Sequence, residues 1–236
     1  MFLRLIAAAS LTLSLLFTGC ASQRGMVNLD NTATISKSTK SVYLMTVTLR
    51  NTFVPSYQPK LQTIKLLKIT GPDTSKTIQY EADLLSRNET NSATTGSSYL
   101  LRMEIEPGEY SILGLESYGQ SMFITGSFFT PLGAKLLVSK TPGIYYLGHI
   151  EASVRELKGE EFPAGSYLPR QEQKLTGAST GSFDVEIADQ WETDSAKFQN
   201  KFPALKGLTI RKAVLPSYSR QSIQRWWDKN GFTQRP

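Results

Sequence analysis

Two side chains of this sequence stand out for chemistry because each occurs once: Cys20 and His149. A single imidazole cannot build a His-rich metal site. Nucleophilic catalysis needs a serine or thiol beside the imidazole and an acid behind it. Gly177-Ala178-Ser179-Thr180-Gly181 spells G-x-S-x-G, but a nucleophile elbow needs an apolar strand before the serine and a helix after it. Polar Lys174-Leu175-Thr176 precedes this serine, a strand pattern follows, and His149 lies upstream rather than downstream, so the segment reads as a loop. Gly71-Pro72-Asp73-Thr74-Ser75-Lys76-Thr77 has a serine where a phosphate loop has its second glycine, and no helix follows; it reads as a turn. His149 falls on the less apolar face of a strand pattern and reads as structural or surface-exposed. Glu104, Glu106 and Glu109 flank Pro107-Gly108 as hairpin edges would. No Asp-rich loop is present for a carboxylate metal site. A glycosidase pair requires two carboxylates across a cleft, which spacing alone does not place. The expectation is therefore no enzyme, no metal and no cofactor.

One further cluster carries interaction chemistry. Arg220, Arg225, Trp226 and Trp227 lie in Arg220–Lys229, where indoles beside guanidiniums suit a membrane interface or a glycan surface. Ile223, Trp226 and Trp227 at helical spacing equally suit docking onto a sheet. These four residues are the candidate interaction set.

Cys20 closes a different pattern. Arg4 provides a basic start, residues 5–17 are apolar apart from Ser10, Thr12 and Ser14, and Phe17-Thr18-Gly19-Cys20 ends the run. These are the regions of an export signal, and the run is too short for a membrane-spanning helix. Its end resembles the lipobox of bacterial lipoproteins, with Phe17 in place of the usual leucine. The resemblance implies that residues 1–19 are removed and that Cys20 carries a diacylglycerol and an amide-linked acyl chain such as palmitate. Ala21, not aspartate, then implies the outer membrane, periplasmic face. With the thiol used, no disulfide is available.

Positioning elements come next. Residues 20–40 are small and polar and read as a flexible tether of about 25 Å. From Val42 the apolar period becomes two: Tyr43, Met45, Val47, Leu49; Tyr99, Leu101, Met103, Ile105; Ile144, Tyr146, Ile150, Ala152, Val154; Phe183, Val185, Ile187. Further strands are expected at 61–70, 77–85, 109–116, 122–130 and 133–139. Turns are expected at Gly71-Pro72, Pro107-Gly108, Tyr118-Gly119, Pro131-Leu132-Gly133 and Pro142-Gly143. Residues 156–182, rich in glycine and proline, read as a long mobile loop. Asp189 and Glu192 stand at capping-box spacing before a helix that aligns Trp191, Phe198 and Phe202, with Pro203 as the stop. A short strand at 208–214 and a last helix at 219–229 complete the pattern. The expected architecture is mostly β: an antiparallel β-sandwich over 41–188 with a C-terminal helical extension, 189–236, packed on it.

Composition agrees with a folded, exported domain. Hydrophobic residues make up 40% and charged residues 19% of the chain, enough for a core. The formal charge of +6 favours anionic envelope surfaces without reading nucleic acid.

Pro107-Gly108-Glu109-Tyr110 and Gly143-Ile144-Tyr145-Tyr146-Leu147-Gly148 resemble motifs of uncharacterised bacterial envelope lipoproteins with a prealbumin-like, carboxypeptidase-regulatory-like β-sandwich. That resemblance covers about residues 42–155 and implies a fold and a location, with no activity. The expected function is a non-enzymatic binding or adaptor module, held to the bilayer through Cys20, that recruits an envelope protein or polymer. The alternatives are a cell-wall glycan hydrolase with unidentified carboxylates and a surface-exposed lipoprotein that binds a ligand or a host.

Overall fold

The computed structural model describes residues 22–29, 40–71, 74–92, 94–165 and 171–230. Cys20, the leader and residues 30–39 of the expected tether lie outside them. The fold is mostly β, in two sheets. The strands are β1 (Ser22–Gly25), β2 (Ser41–Asn51), β3 (Lys60–Lys68), β4 (Thr77–Glu81), β5 (Arg87–Ser92), β6 (Gly96–Ile105), β7 (Gly108–Ser121), β8 (Ile124–Val138), β9 (Ile144–Glu156), β10 (Gly181–Ala188) and β11 (Ile210–Lys212). The helices are α1 (Gln171–Leu175), α2 (Trp191–Lys201) and α3 (Arg220–Asn230), with a 3₁₀ turn at Pro203–Leu205.

One sheet runs β1-β4-β3-β7-β8 and the other β10-β9-β2-β6-β5, with β11 on β9. Both are mixed, which corrects the antiparallel expectation: β1 runs parallel to β4, and β2 and β11 run parallel to β9. Alternation specifies which face of a strand is buried, not the direction of its neighbour. β10 covers the β9 edge from His149 to Glu156, and β11 takes the stretch left over, Ile144–Tyr146.

Alternate residues of both sheets enter a single core: Tyr43, Met45, Val47 and Leu49 of β2, Ile64 and Leu66 of β3, Tyr110 and Ile112 of β7, Ile150 and Val154 of β9, and Phe183 of β10. A second core lies on the other face of β2, β6 and β9. Val42, Leu44, Leu100, Ile144 and Tyr146 pack there beneath Phe198 and Phe202, with Leu205 and Leu29. β2 is thus buried on both faces along its first half. Burying each large side chain of α2 contributes roughly 1.5–3 kcal/mol, and this holds the helix on the sheet. The expected alignment of Trp191, Phe198 and Phe202 is present. The capping box is not: Asp189 Oδ1 accepts from Trp191 N–H, its other oxygen pairs with Lys212, and the cap position is Gln190.

Four other expectations are corrected. Residues 22–29, read as tether, belong to the fold: β1 pairs with β4 and Leu29 is buried in the second core. Tyr118-Gly119 lies inside β7, and the hairpin turns instead at Met122-Phe123. Pro131-Leu132-Gly133 lies within β8, an edge strand opposite a register shift at Ile112/Gly114, where a missing N–H is tolerated. Much of 156–182 is also packed rather than loose. Phe162, Ala164 and Ala178 are buried. Ala164 accepts from Phe129 N–H and donates to Gly181 C=O, stitching the β8 edge to the β10 edge.

Candidate functional site

The arrangement with the most chemistry forms at an irregularity in β9. Gly148 adopts φ +110°, a conformation open to glycine and strained for other residues, and the β2–β9 register shifts beside it. The shift turns His149 onto the face that also carries Tyr146, away from the main core. Both side chains meet Asp194, which α2 brings down over that face. Tyr146 Oη donates to Asp194 Oδ2 at 2.6 Å, and His149 Nδ1 lies 3.2–3.3 Å from the two carboxylate oxygens. On its far side, His149 Nε2 is 2.9 Å from Thr48 Oγ1. Lys197, one turn along α2, stands 3.4 Å from Asp194.

Electrostatics fixes the roles. Burial pushes the Asp194 carboxyl up, but bonds from His149 and Tyr146 outweigh it and hold the group at about 2. The Tyr146 hydroxyl moves the other way, raised by burial and by donating to that carboxylate. An ionised Asp194 takes the Nδ1–H of His149, leaving Nε2 to accept from Thr48 O–H. The series hydroxyl, imidazole, carboxylate is that of a nucleophilic relay. Among the described residues it lacks a matching oxyanion site nearby, because Thr48 lies mid-strand between Ser98 of β6 and Glu151 of β9 with its neighbours' backbone in both ladders.

Thr48 also borders a groove. Beyond the half covered by α2, the same sheet face is polar and open, forming a recess of about 470 Å³ lined by Thr48, Arg50, Glu151, Ser153, Asp184 and Glu186. Arg50 lies on one side. On the other, Glu151 and Glu186 stand directly opposite each other across β9 and β10, an arrangement that disfavours itself unless a donor or cation approaches; Gln190 Nε2 donates to Glu151 at 3.3 Å and meets part of that demand.

The candidate interaction residues are placed differently from one another. Arg220 is turned inward: it donates to Phe183 C=O and Ser182 Oγ, pairs with Glu161 at 3.1 Å and lies over the Phe162 ring. Arg155 grips the same Glu161, whose carboxyl is lowered to about 2 chiefly by that bond. Trp227 packs toward Phe162, Trp226 meets Trp227 edge-on, and both are half-buried; Ile223 is buried. Arg225 is exposed and reaches Ser222. Cys20 lies outside the described residues. Gly177–Gly181 forms the turn between α1 and β10, as expected of a loop.

A second recess, about 550 Å³, holds Glu81, Asp83 and Glu116. Each carboxylate is already engaged: Glu81 by Gln23, Glu116 by Lys65 and Thr63, Asp83 by Ser86 and Arg102. Burial raises the Asp83 carboxyl, yet bonds from Ser86 and Arg102 carry it below its ordinary value, opposite to what a general acid needs.

Sequence reasoning missed Asp194 and Arg102. Asp194 is three residues after Trp191 and four before Phe198, an acid inside the apolar stripe of α2, and that position was the available signal. Arg102 is buried with Nη2 on Asp83 at 2.6 Å, its other donors on Val27 and Leu100 carbonyls and its plane over Phe202, and nothing in its strand pattern distinguishes it. Among the described residues no group of three or more His, Cys, Asp or Glu is placed to hold a metal, and no helix is long and apolar enough to cross a membrane. Comparison with family models, curated proteins and solved structures finds no match for this chain.

Proposed function

We propose that this chain is an envelope lipoprotein, acylated on Cys20 and held on the periplasmic face of the outer membrane, whose two sheets pack as a β-sandwich and act as a non-enzymatic binding module. The reading unites the lipobox resemblance, the likeness to prealbumin-like envelope lipoproteins and one carrying observation: a rigidly backed polar groove on an otherwise covered sheet face. Its ligand is a short peptide-like segment of an envelope protein or polymer, with a carboxylate or carbonyl toward Arg50 and an amine or amide donor toward Glu151 and Glu186. Proximity crosslinking in the native host tests it. The intact chain is expected to capture a discrete set of species that Arg50→Glu and Glu151→Lys both lose. Identical capture by the variants refutes the groove.

A second reading has a specific observation in its favour, the Thr48–His149–Asp194 series. As an ester hydrolase the chain would pass the Thr48 Oγ1 proton to His149 Nε2 as Oγ1 attacks the ester carbonyl, return it to the departing alcohol as the ester C–O bond breaks, and release the acyl group to water by the same exchange. Release of p-nitrophenol from p-nitrophenyl acetate that Thr48→Val abolishes would move this reading ahead of the binding module.

A further inference from the structure

The pairing of β1 changes where the domain stands relative to its anchor. Ser22 is paired with Ile78 of β4. Only Ala21 then separates it from Cys20, at most about 7 Å of chain between their Cα atoms, against the long tether that composition suggested. The pairing registers show what lies at that end of the molecule. β4 begins there, β3 ends there at Lys68 beside Tyr110, and Gly108 of β7 faces Val138 of β8. Residues 69–71 and 74–76 and the turns 105–108 and 139–143 also lie at this end. The opposite end carries the β7–β8 tip, where Met122 and Phe123 are almost fully exposed. β7 alone has 14 residues, which puts that tip about 45 Å from the anchor end.

We propose that the β1-start end seats directly on an anionic bilayer surface, with Lys76, Lys135 and Lys140 against lipid phosphates and Leu137 against the headgroup boundary. All three lysines are exposed, and Leu137 is 74% exposed with Ile69 open nearby. Among the described residues Glu109 is the exposed acid beside them; Glu104 and Glu106 are already paired with Lys40, and Glu106 with Arg24. A cation near an anionic membrane changes occupancy by about fivefold, and acyl chains two residues away supply the proximity that so few charges lack. The seat rests on the acylation reading above. It orients the long axis of the five-stranded sheet away from the bilayer, so Met122-Phe123 projects outward.

The test uses the full acylated chain purified from membranes. Because Cys20 carries lipid, a fluorophore on Thr141→Cys or Met122→Cys reacts at one thiol only. The labelled chains are reconstituted in phosphatidylcholine vesicles with or without 30% phosphatidylglycerol and a headgroup-linked quencher. Strong quenching is expected at position 141 and none at 122. Loss of phosphatidylglycerol, or Lys76→Glu/Lys135→Glu/Lys140→Glu together, should lower the seated-to-unseated equilibrium constant on the order of 100-fold. Equal quenching at the two positions, or indifference to both lipid charge and the substitutions, overturns the seat while leaving the anchor intact. An unmodified Cys20 by mass spectrometry, with no vesicle binding in either lipid, overturns the anchor reading and the seat with it.

Discussion

Replacing Asp194 with alanine tests the physical account of the His149 network most directly. The side chain is fully buried and accepts from two groups that have no route to water, the Tyr146 hydroxyl and the His149 Nδ1–H. Stranding each buried donor costs about 1–3 kcal/mol, so the two together cost about 2–6 kcal/mol. For a domain of this size, each kcal/mol lowers Tm by about 2–4 °C, so a fall of about 4–24 °C is expected. Asp194→Asn keeps the shape and one acceptor and should cost clearly less. Urea unfolding followed by tryptophan emission is the assay, since Trp191 lies 4.8 Å from the Tyr146 ring and reports on this contact. The same measurement carries a pH signature. The Asp194 carboxyl is lowered from 3.8 to about 2 on folding. Its contribution, roughly 2–3 kcal/mol, is complete above about pH 4 and is lost as pH falls through about 2. Asp194→Ala should lose that acid-dependent component while retaining the rest of the acid transition. A destabilisation under about 1 kcal/mol, or an unchanged acid slope, would refute the reasoning.

Two further predictions concern the bulge at Gly148 and the Arg220 cluster. Gly148→Ala places a Cβ 3.1 Å from Ala188 C=O at a φ of +110°; it should destabilise by about 1–3 kcal/mol in thermal unfolding and broaden the His149 ring signals in NMR spectra. Arg220→Ala removes the pin between α3 and the Glu161–Asp184 cluster, so hydrogen exchange across α3 should accelerate at least tenfold while amides of β2 and β9 stay protected.

The strands were legible because a strand buried on one face writes its period into the residues that line it. Tyr43 to Leu49, Tyr99 to Ile105 and Phe183 to Ile187 all lie in the main core as their alternation implies. α2 was legible from Trp191, Phe198 and Phe202, and α3 from its helical spacing and polar end. β5 was not, because Arg87–Ser92 is a short polar edge whose partner, β6, supplies the apolar face. Nor was β1, whose Ser-Gln-Arg-Gly earns its strand only from the open edge of β4.

By itself the sequence determined the basic start and apolar run that end at a singular thiol, the mostly β character and the C-terminal helices, because each depends on residues near one another in the chain. Tertiary structure decided which strands run parallel, since face alternation is blind to direction. It also decided that a bulge at Gly148 turns His149 toward an acid 45 residues away, and that Arg220 is spent inside the fold. These outcomes depend on contacts that form only when distant segments pack, and no local spacing encodes them.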